Sequence, residues 1–306
     1  MGDMRQTLVI YNPKSGSAAQ ASDALAWLAK APNVTLRETE KAGDACEFAA
    51  AAAIGENFDL VIAAGGDGTV HSVANGIAIA GNGASMGVLP IGTANDFAFT
   101  LGMPDDPLLA AKYLLSATPH PMDLIEATGS SQSRYVVNMA TGGNSNRVTE
   151  SLTNEIKQTW GPLSYLRGAV GVLADLGSFD LTVTVDETER FNARIWNMLV
   201  ANGRTNAGRL PVAPNARPDD GLLDLILIRD GTLVDLAAIA AEFAILPINY
   251  LDSDQVIFRQ AKKITFQADP PMKFSLDGEI LEEPPTTFQV RPRLINMIYG
   301  PDYDAE

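Results

Sequence analysis

The chain has 306 residues, 46% of them hydrophobic and 19% charged; this excludes a disordered segment and, at roughly 150 residues per domain, predicts two globular domains. A formal net charge of −15 excludes a nucleic-acid partner, which needs clustered Lys and Arg for its phosphates, and works against adsorption to an anionic bilayer. The single cysteine, Cys46, excludes an intrachain disulfide framework or zinc cluster and reads as a small buried hydrophobe in an Ala-rich helix.

Met1 to Gln6 lead straight into an apolar stretch of about six residues, too short for a signal h-region, which predicts a reducing cytoplasm. Thr7–Tyr11 then reads as a strand, 18–30 as a helix, Val34–Glu38 as a strand and Asp44–Ile54 as a helix. Residues 58–64 make a near-continuous apolar strand, a helix opens near Gly68, and 86–89 is a further strand. Alternating strands and helices, with strands apolar on both faces, predict a parallel sheet covered by helices: an α/β nucleotide-binding domain over residues 1–124.

The pattern changes after about 125. Residues 135–140, 180–186, 192–200, 222–228, 263–268 and 288–293 read as strands, and only 162–176 and 232–245 are strongly helical. Many strands separated by Gly, Pro and Asp turns predict a predominantly antiparallel β-sandwich over 125–297, with the tail, 298–306, packing back on the first domain. Without a low-complexity linker, the two domains are expected to abut and to enclose a cleft. The longest apolar run, around 233–248, is broken by Asp235 and Glu242 and falls short of the ~20 residues of a membrane span, so any membrane contact is expected to be peripheral.

Three turns of the first domain follow predicted strands: Asn12-Pro13-Lys14-Ser15-Gly16, Gly65-Gly66-Asp67-Gly68-Thr69-Val70, and Pro90-Ile91-Gly92-Thr93-Ala94-Asn95-Asp96. They converge at the carboxyl ends of the parallel strands, where open α/β sheets bind ligands. In the central turn the glycines let backbone N–H groups approach phosphate oxygens, and the helix that follows adds the positive end of its dipole. Thr69 can donate its hydroxyl to a phosphate, whereas Asp67 needs a cation between itself and the anion, with Mg²⁺ the obvious candidate. The turn is neither a Walker A loop nor a GxGxxG fingerprint.

These three turns, the last continuing to Phe97 and Ala98, resemble the signature segments of the diacylglycerol kinase catalytic domain, to which bacterial lipid kinases and sphingosine kinases are similar. NAD kinases and phosphofructokinases share the Gly-Gly-Asp-Gly turn, so it does not by itself specify a lipid substrate. In the second domain Ala213-Pro-Asn-Ala-Arg-Pro-Asp-Asp-Gly-Leu-Leu-Asp224 and Ser275-Leu-Asp-Gly-Glu279 resemble the family's metal-site and catalytic segments, so the match runs nearly end to end. The form of the third turn, in which Phe99 and Thr100 stand where many diacylglycerol kinases have Arg, is closest to the YegS-like bacterial lipid kinases.

The resemblance implies an ATP- and Mg²⁺-dependent kinase for a lipid hydroxyl, of phosphatidylglycerol or diacylglycerol type, acting from the cytoplasm at the inner membrane face. It implies ATP contacts from Asn12, Pro13, Lys14, Ser15 and Gly16, from Thr39, from Gly65, Gly66, Asp67, Gly68, Thr69, Val70 and His71, and from Thr93, Asn95 and Asp96. It implies a structural Mg²⁺, with Ca²⁺ as the alternative, on Asp220 and the main-chain carbonyls of Arg217 and Leu222. Taken alone, Pro218-Asp219-Asp220-Gly221 reads as a turn. Asp277 and Glu279 flank a glycine, and either can take the proton of the attacking hydroxyl; an Asp-Gly hairpin is the plainer reading of the same residues, and the two are compatible.

His71, where the family often has Asn, reads as a hydrogen-bonding residue behind the site, and His120, between prolines, as a turn residue. Arg204 and Arg209 are candidates for an anionic head group, and Arg259 to Lys263 form a weakly basic segment. A kinase for NAD or a sugar phosphate, and a non-catalytic nucleotide- or lipid-binding module, are the competing readings, and a homodimer is left open.

Overall fold

The computed structural model describes residues 5–13, 18–55, 57–81, 83–130, 133–144, 177–232, 235, 251 and 253–303. Strand β1 (Thr7–Tyr11) lies between β2 (Val34–Glu38) and β3 (Leu60–Gly65), and β3 pairs in turn with β4 (Ser85–Pro90). All are parallel, in the register Thr7↔Val34, Thr7↔Leu60 and Leu60↔Ser85. β3 is buried along its whole length, as a strand covered on both faces requires. The helices come as two pairs: α1 (Ala18–Leu28) packs on α5 (Pro107–Ser116), and α2 (Asp44–Ile54) on α3 (Asp67–Ala80). Close approach of the second pair depends on Gly76, where a Cβ would stand 2.4 Å from the Cys46 carbonyl oxygen. Cys46 is only half-buried there.

The second domain is built from antiparallel strands. β5 (His120–Thr128) pairs with β6 (Ser133–Val136) and with the long β15 (Thr287–Met297). β7 (Met139–Gly143), β8 (Phe179–Val185), β9 (Glu189–Ala201), β10 (Leu223–Arg229), β11 (Val256–Ala261), β12 (Lys263–Asp269), β13 (Phe274–Leu276) and β14 (Glu279–Ile280) complete the sheets. Their core centres on Phe266, Phe274 and Phe288, with ring centroids 5.4–5.9 Å apart.

The β5–β15 ribbon belongs to both cores. Met122 and Leu124 are buried with the α/β domain and Ile125 and Ala127 with the sandwich; on β15, Phe288 and Val290 lie in the sandwich core and Ile295 and Met297 in the other. Met297 pairs in parallel with Met86, and Ile298 N donates to Met86 O at 2.8 Å, so the end of β15 extends the parallel sheet beyond β4. Ile298 and Tyr299 are buried in the same core.

Several expectations are corrected. The strand predicted over 135–140 is two strands, broken at Val137 and Asn138, because the N–H groups of residues 137–139 go to the Asp277 carboxylate. His120 opens β5 and pairs with Met297 rather than forming a turn. Helices α4 (Asp96–Thr100) and α5 and strand β11 were not expected; α5 carries a legible start, Pro107 after Asp106, whose carboxylate caps Leu109 N at 2.9 Å. The basic segment is spent on ion pairs, Arg259 with Glu189 and Lys263 with Glu187. The predicted helix 162–176 lies outside the described residues, as does 232–245 apart from Thr232 and Asp235.

Candidate active site

α3 starts directly at the end of β3. Gly65 makes this sharp entry feasible, since a Cβ there would meet Thr69 Oγ1 at 2.3 Å. Gly66 is the N-cap, its carbonyl accepting from Thr69 N at 2.9 Å and Val70 N at 3.1 Å; Gly68 is exposed, and the Val70 side chain is in the core. The third turn lies against the second: a Cβ on Gly92 would be 2.3 Å from Gly66 Cα. Asn95, at φ 54°, shapes that turn by accepting from Gly92 N at 2.9 Å and donating to Gly92 O at 3.0 Å, leaving Thr93 exposed at the tip.

Asp67 fastens the two turns. Its carboxylate accepts from Phe97 N at 3.0 Å and Asp96 N at 3.3 Å, at the start of α4. Burial pushes the Asp67 carboxyl above its ordinary value against those two bonds, and the nearby Asp96 and Asp277 charges add to the rise. Asp96 in turn is held from the second domain, by Gly208 N at 3.1 Å and by Arg209 N. Residues 207–209 all have left-handed φ, 55°, 91° and 68°; this turns the Gly208 and Arg209 N–H groups towards the Asp96 carboxylate, while Ala207 N donates to Asn206 Oδ1 at 2.8 Å.

Of the first turn, Asn12 and Pro13 follow β1, while Lys14, Ser15 and Gly16 lie outside the described residues. Thr39, at the end of the neighbouring β2, donates to Tyr11 O through its N–H at 2.9 Å and its hydroxyl at 3.3 Å.

Between β13 and β14, Asp277 and Gly278 turn with φ 48° and 95°, the two left-handed residues of a tight hairpin. The Asp277 carboxylate is buried and accepts four hydrogen bonds: from Val137 N at 2.8 Å, Asn138 N at 2.9 Å, Met139 N at 2.8 Å and His71 Nδ1 at 2.7 Å. The catalytic-candidate hairpin is thereby joined to the helix of the glycine turn. Glu279 is half exposed, 3.2 Å from Arg134 Nη1 and 3.9 Å from His71 Nε2. Asn75, one helical turn beyond His71, ties α3 to β6 by donating to Tyr135 O at 3.0 Å and accepting from Tyr135 N at 3.1 Å.

Arg217, Asp220 and Leu222 form a separate cluster, which rests on Asp123 and Tyr303. Asp123, buried, accepts from Gly221 N at 2.6 Å and Arg293 N at 2.7 Å, Asp220 accepts from Leu222 N at 2.8 Å, and Tyr303 donates to Asp219 at 2.7 Å. Burial first, then the Asp123 and Asp219 charges, hold the Asp220 carboxyl above its ordinary value. A hard cation among these oxygens would relieve that repulsion, so the residues fit such an ion. No group of three or more His, Cys, Asp or Glu side chains arranged for a metal occurs among the described residues, and one carboxylate with two carbonyls is a different donor set.

Arg204 and Arg209 are engaged: Arg204 lies over Tyr303 and donates to Ala216 O, and Arg209 pairs with Asp105 and lies over Phe99. Arg134, Asn75 and Asp123 were missed in the sequence. Asn75 had a readable signal, four residues after His71 on one helix face; Arg134 and Asp123 had none, because their partners are remote in the chain.

No helix of the described residues is long and apolar enough to cross a membrane. The family model for the diacylglycerol kinase catalytic domain matches residues 6–127, and that for the YegS C-terminal NAD kinase β-sandwich-like domain matches 138–299. The diacylglycerol kinase of Bacillus subtilis (strain 168) is 31% identical over 281 residues, covering 90% of each chain. That of Staphylococcus aureus (strain JH9) is 31% identical over 302 residues, covering 97% of this chain and 93% of its own. Among solved structures, a diacylglycerol kinase from Bacillus anthracis str. Sterne matches with TM-score 0.73 at 24% identity, over 99% of this chain and 100% of that one. An NAD kinase from Archaeoglobus fulgidus in complex with ATP shares the fold at TM-score 0.51 and 14% identity, over 97% and 94% of the two chains. The chain belongs to the diacylglycerol kinase family and is a kinase of that family.

Proposed function

We propose that this kinase transfers the γ-phosphoryl group of ATP, with Mg²⁺, to a hydroxyl of a lipid of diacylglycerol or phosphatidylglycerol type, presented at the inner membrane face. One observation carries the reading: Asp277 is bonded to His71, two residues after Thr69, so the acidic hairpin of the second domain stands beside the glycine turn of the first. That bond speaks against a non-catalytic module, in which hairpin and turn would have no reason to meet.

Phosphoryl transfer asks for positioning and charge neutralisation rather than covalent help. The segments from Asn12 to Gly16 and Gly65 to His71, with Thr39, Thr93, Asn95 and Asp96, would hold the nucleotide. Asp277 has its acceptor sites filled by four donors, whereas Glu279 is half exposed, so Glu279 is the better base. Glu279 takes the proton of the acceptor hydroxyl as that oxygen bonds to the γ-phosphorus; the bond from phosphorus to the β–γ bridging oxygen breaks, and ADP leaves with that electron pair. Asp220 with the carbonyls of Arg217 and Leu222 would hold a structural Mg²⁺, and a Mg²⁺ bound with ATP would neutralise phosphate charge.

A kinase for NAD is the second reading, favoured by the fold shared with an NAD kinase. The experiment is transfer of labelled γ-phosphate from ATP to a panel of mixed-micelle lipids, with NAD and sugar phosphates in parallel. Label in a lipid supports the proposal and names the substrate; label only in NAD or sugar sinks it.

A further inference from the structure

The His71 main chain closes the segment proposed to hold the nucleotide, but its imidazole is a buried titratable group to which the reaction above assigns no part. Its Nδ1 lies 2.7 Å from Asp277, an acceptor-only carboxylate already holding three N–H groups, so Nδ1 carries a proton and donates it there. Asn75 Nδ2 donates to the His71 carbonyl at 3.0 Å and to Tyr135 O at 3.0 Å, which fixes this stretch of α3 against β6. With both ends of the residue fixed, Nε2 lies 3.5 Å from Asn75 Nδ2 and, at ion-pair distance, 3.9 Å from Glu279. The charged groups around the ring are Asp277 and Glu279 from the hairpin and Arg134 from β6; Cys46 of α2 faces the same Glu279–Arg134 pair.

We propose that His71 is a positioning residue for the phosphoryl transfer: clamped through Nδ1 by Asp277, it holds the Glu279 carboxylate from Nε2 in line for the acceptor hydroxyl, with Arg134 as the second, solvent-side clamp. The proposal rests on the reading of Glu279 as the base. Burial alone lowers the proton affinity of the imidazole, but the Asp277 hydrogen bond and charge, joined by Glu279, outweigh it and raise the pKa above its ordinary value. The cation therefore persists to higher pH than in a free imidazole. As pH rises through the His71 titration the clamp loses its charge, and Glu279 is left to Arg134. Turnover falls there.

The chain has two histidines, His71 and His120, so their ring resonances in a ¹H–¹⁵N spectrum of the intact protein are assigned by a single variant, His71→Gln. Coupling between His71 and Glu279 is reciprocal, so Glu279→Gln is expected to lower the His71 titration midpoint by about half a pH unit or more and to leave His120 in place. In the lipid assay, the alkaline fall of kcat should track the His71 midpoint. His71→Gln should lack that fall and turn over roughly ten- to a hundredfold more slowly. His71→Asn, which keeps a donor for Asp277, repeats the measurement if His71→Gln does not fold. An unmoved midpoint in Glu279→Gln, or an alkaline fall that survives loss of the imidazole, overturns the proposal. The NMR titration needs no substrate, so it still tests the clamp if no acceptor is phosphorylated and the lipid-kinase reading itself has failed.

Discussion

Replacing Asp277 by Asn changes one oxygen for an NH₂ group in a buried carboxylate that accepts three backbone N–H groups at 2.8–2.9 Å and His71 Nδ1 at 2.7 Å. The amide oxygen can keep Asn138 N and Met139 N, but the NH₂ then faces Val137 N–H, donor against donor, and His71 can meet it only by giving up its Nδ1 proton and with it the charge-assisted bond. Each hydrogen bond to a charged group contributes about 1.5–3 kcal/mol, so two of them amount to about 3–6 kcal/mol. That is a large share of the roughly 5–15 kcal/mol that separates folded from unfolded domains. Asp277→Asn should therefore unfold at clearly lower urea concentration, followed by far-ultraviolet circular dichroism, and its loss of activity should accompany a loss of structure. If the variant is within about 1 kcal/mol of the parent, the assignment of Asp277 as the tie between β6, β7 and α3 is wrong.

Glu279→Gln is expected to do the opposite: it should lower phosphoryl transfer by roughly 10²–10⁴-fold with a stability change within about 0.5 kcal/mol, because the side chain is half exposed. Gly92→Ala places a Cβ 2.3 Å from Gly66 Cα, so it should cost about 1–3 kcal/mol and weaken ATP binding, measured by calorimetry, as the two turns are forced apart. Burial would raise the pKa of Glu126, but its bonds from Ser133 and Arg291 hold it below the ordinary carboxylate value. A depressed carboxylate stabilises the fold above its unfolded-state pKa and loses that contribution as pH falls through the folded value. Glu126→Gln should thus cost about 1 kcal/mol at neutral pH in thermal melts, with the difference vanishing in acid.

The α/β half was legible because its strands are continuous apolar runs and its turns carry the glycines that geometry requires, so β1, β2, β3 and α2 fall where the periodicity puts them. The legibility stops where long-range partners decide. Val137 and Asn138 have the composition of a strand interior, yet their N–H groups are taken by a carboxylate far along the chain, and no local pattern encodes that. His120 between two prolines looks like a turn, but β15 supplies the pairing that makes it a strand. In the site, the residue types of the hairpin were readable from Leu276-Asp277-Gly278-Glu279, while the division of labour between its two acids was not. It depends on which carboxylate the β6–β7 break and His71 enclose.

The β15 contribution to the first core bears on how the chain comes to be folded. On the ribosome, the glycine turns and β1–β4 emerge early, but Ile295, Met297, Ile298 and Tyr299, which cover the flank of β4, emerge only after the rest of the second domain. Until they do, β4 is an open edge able to pair with other chains. A nascent copy of the nucleotide half should therefore depend on chaperones until β15 has been made, and messages truncated upstream of β15 should yield aggregates rather than a free-standing first domain.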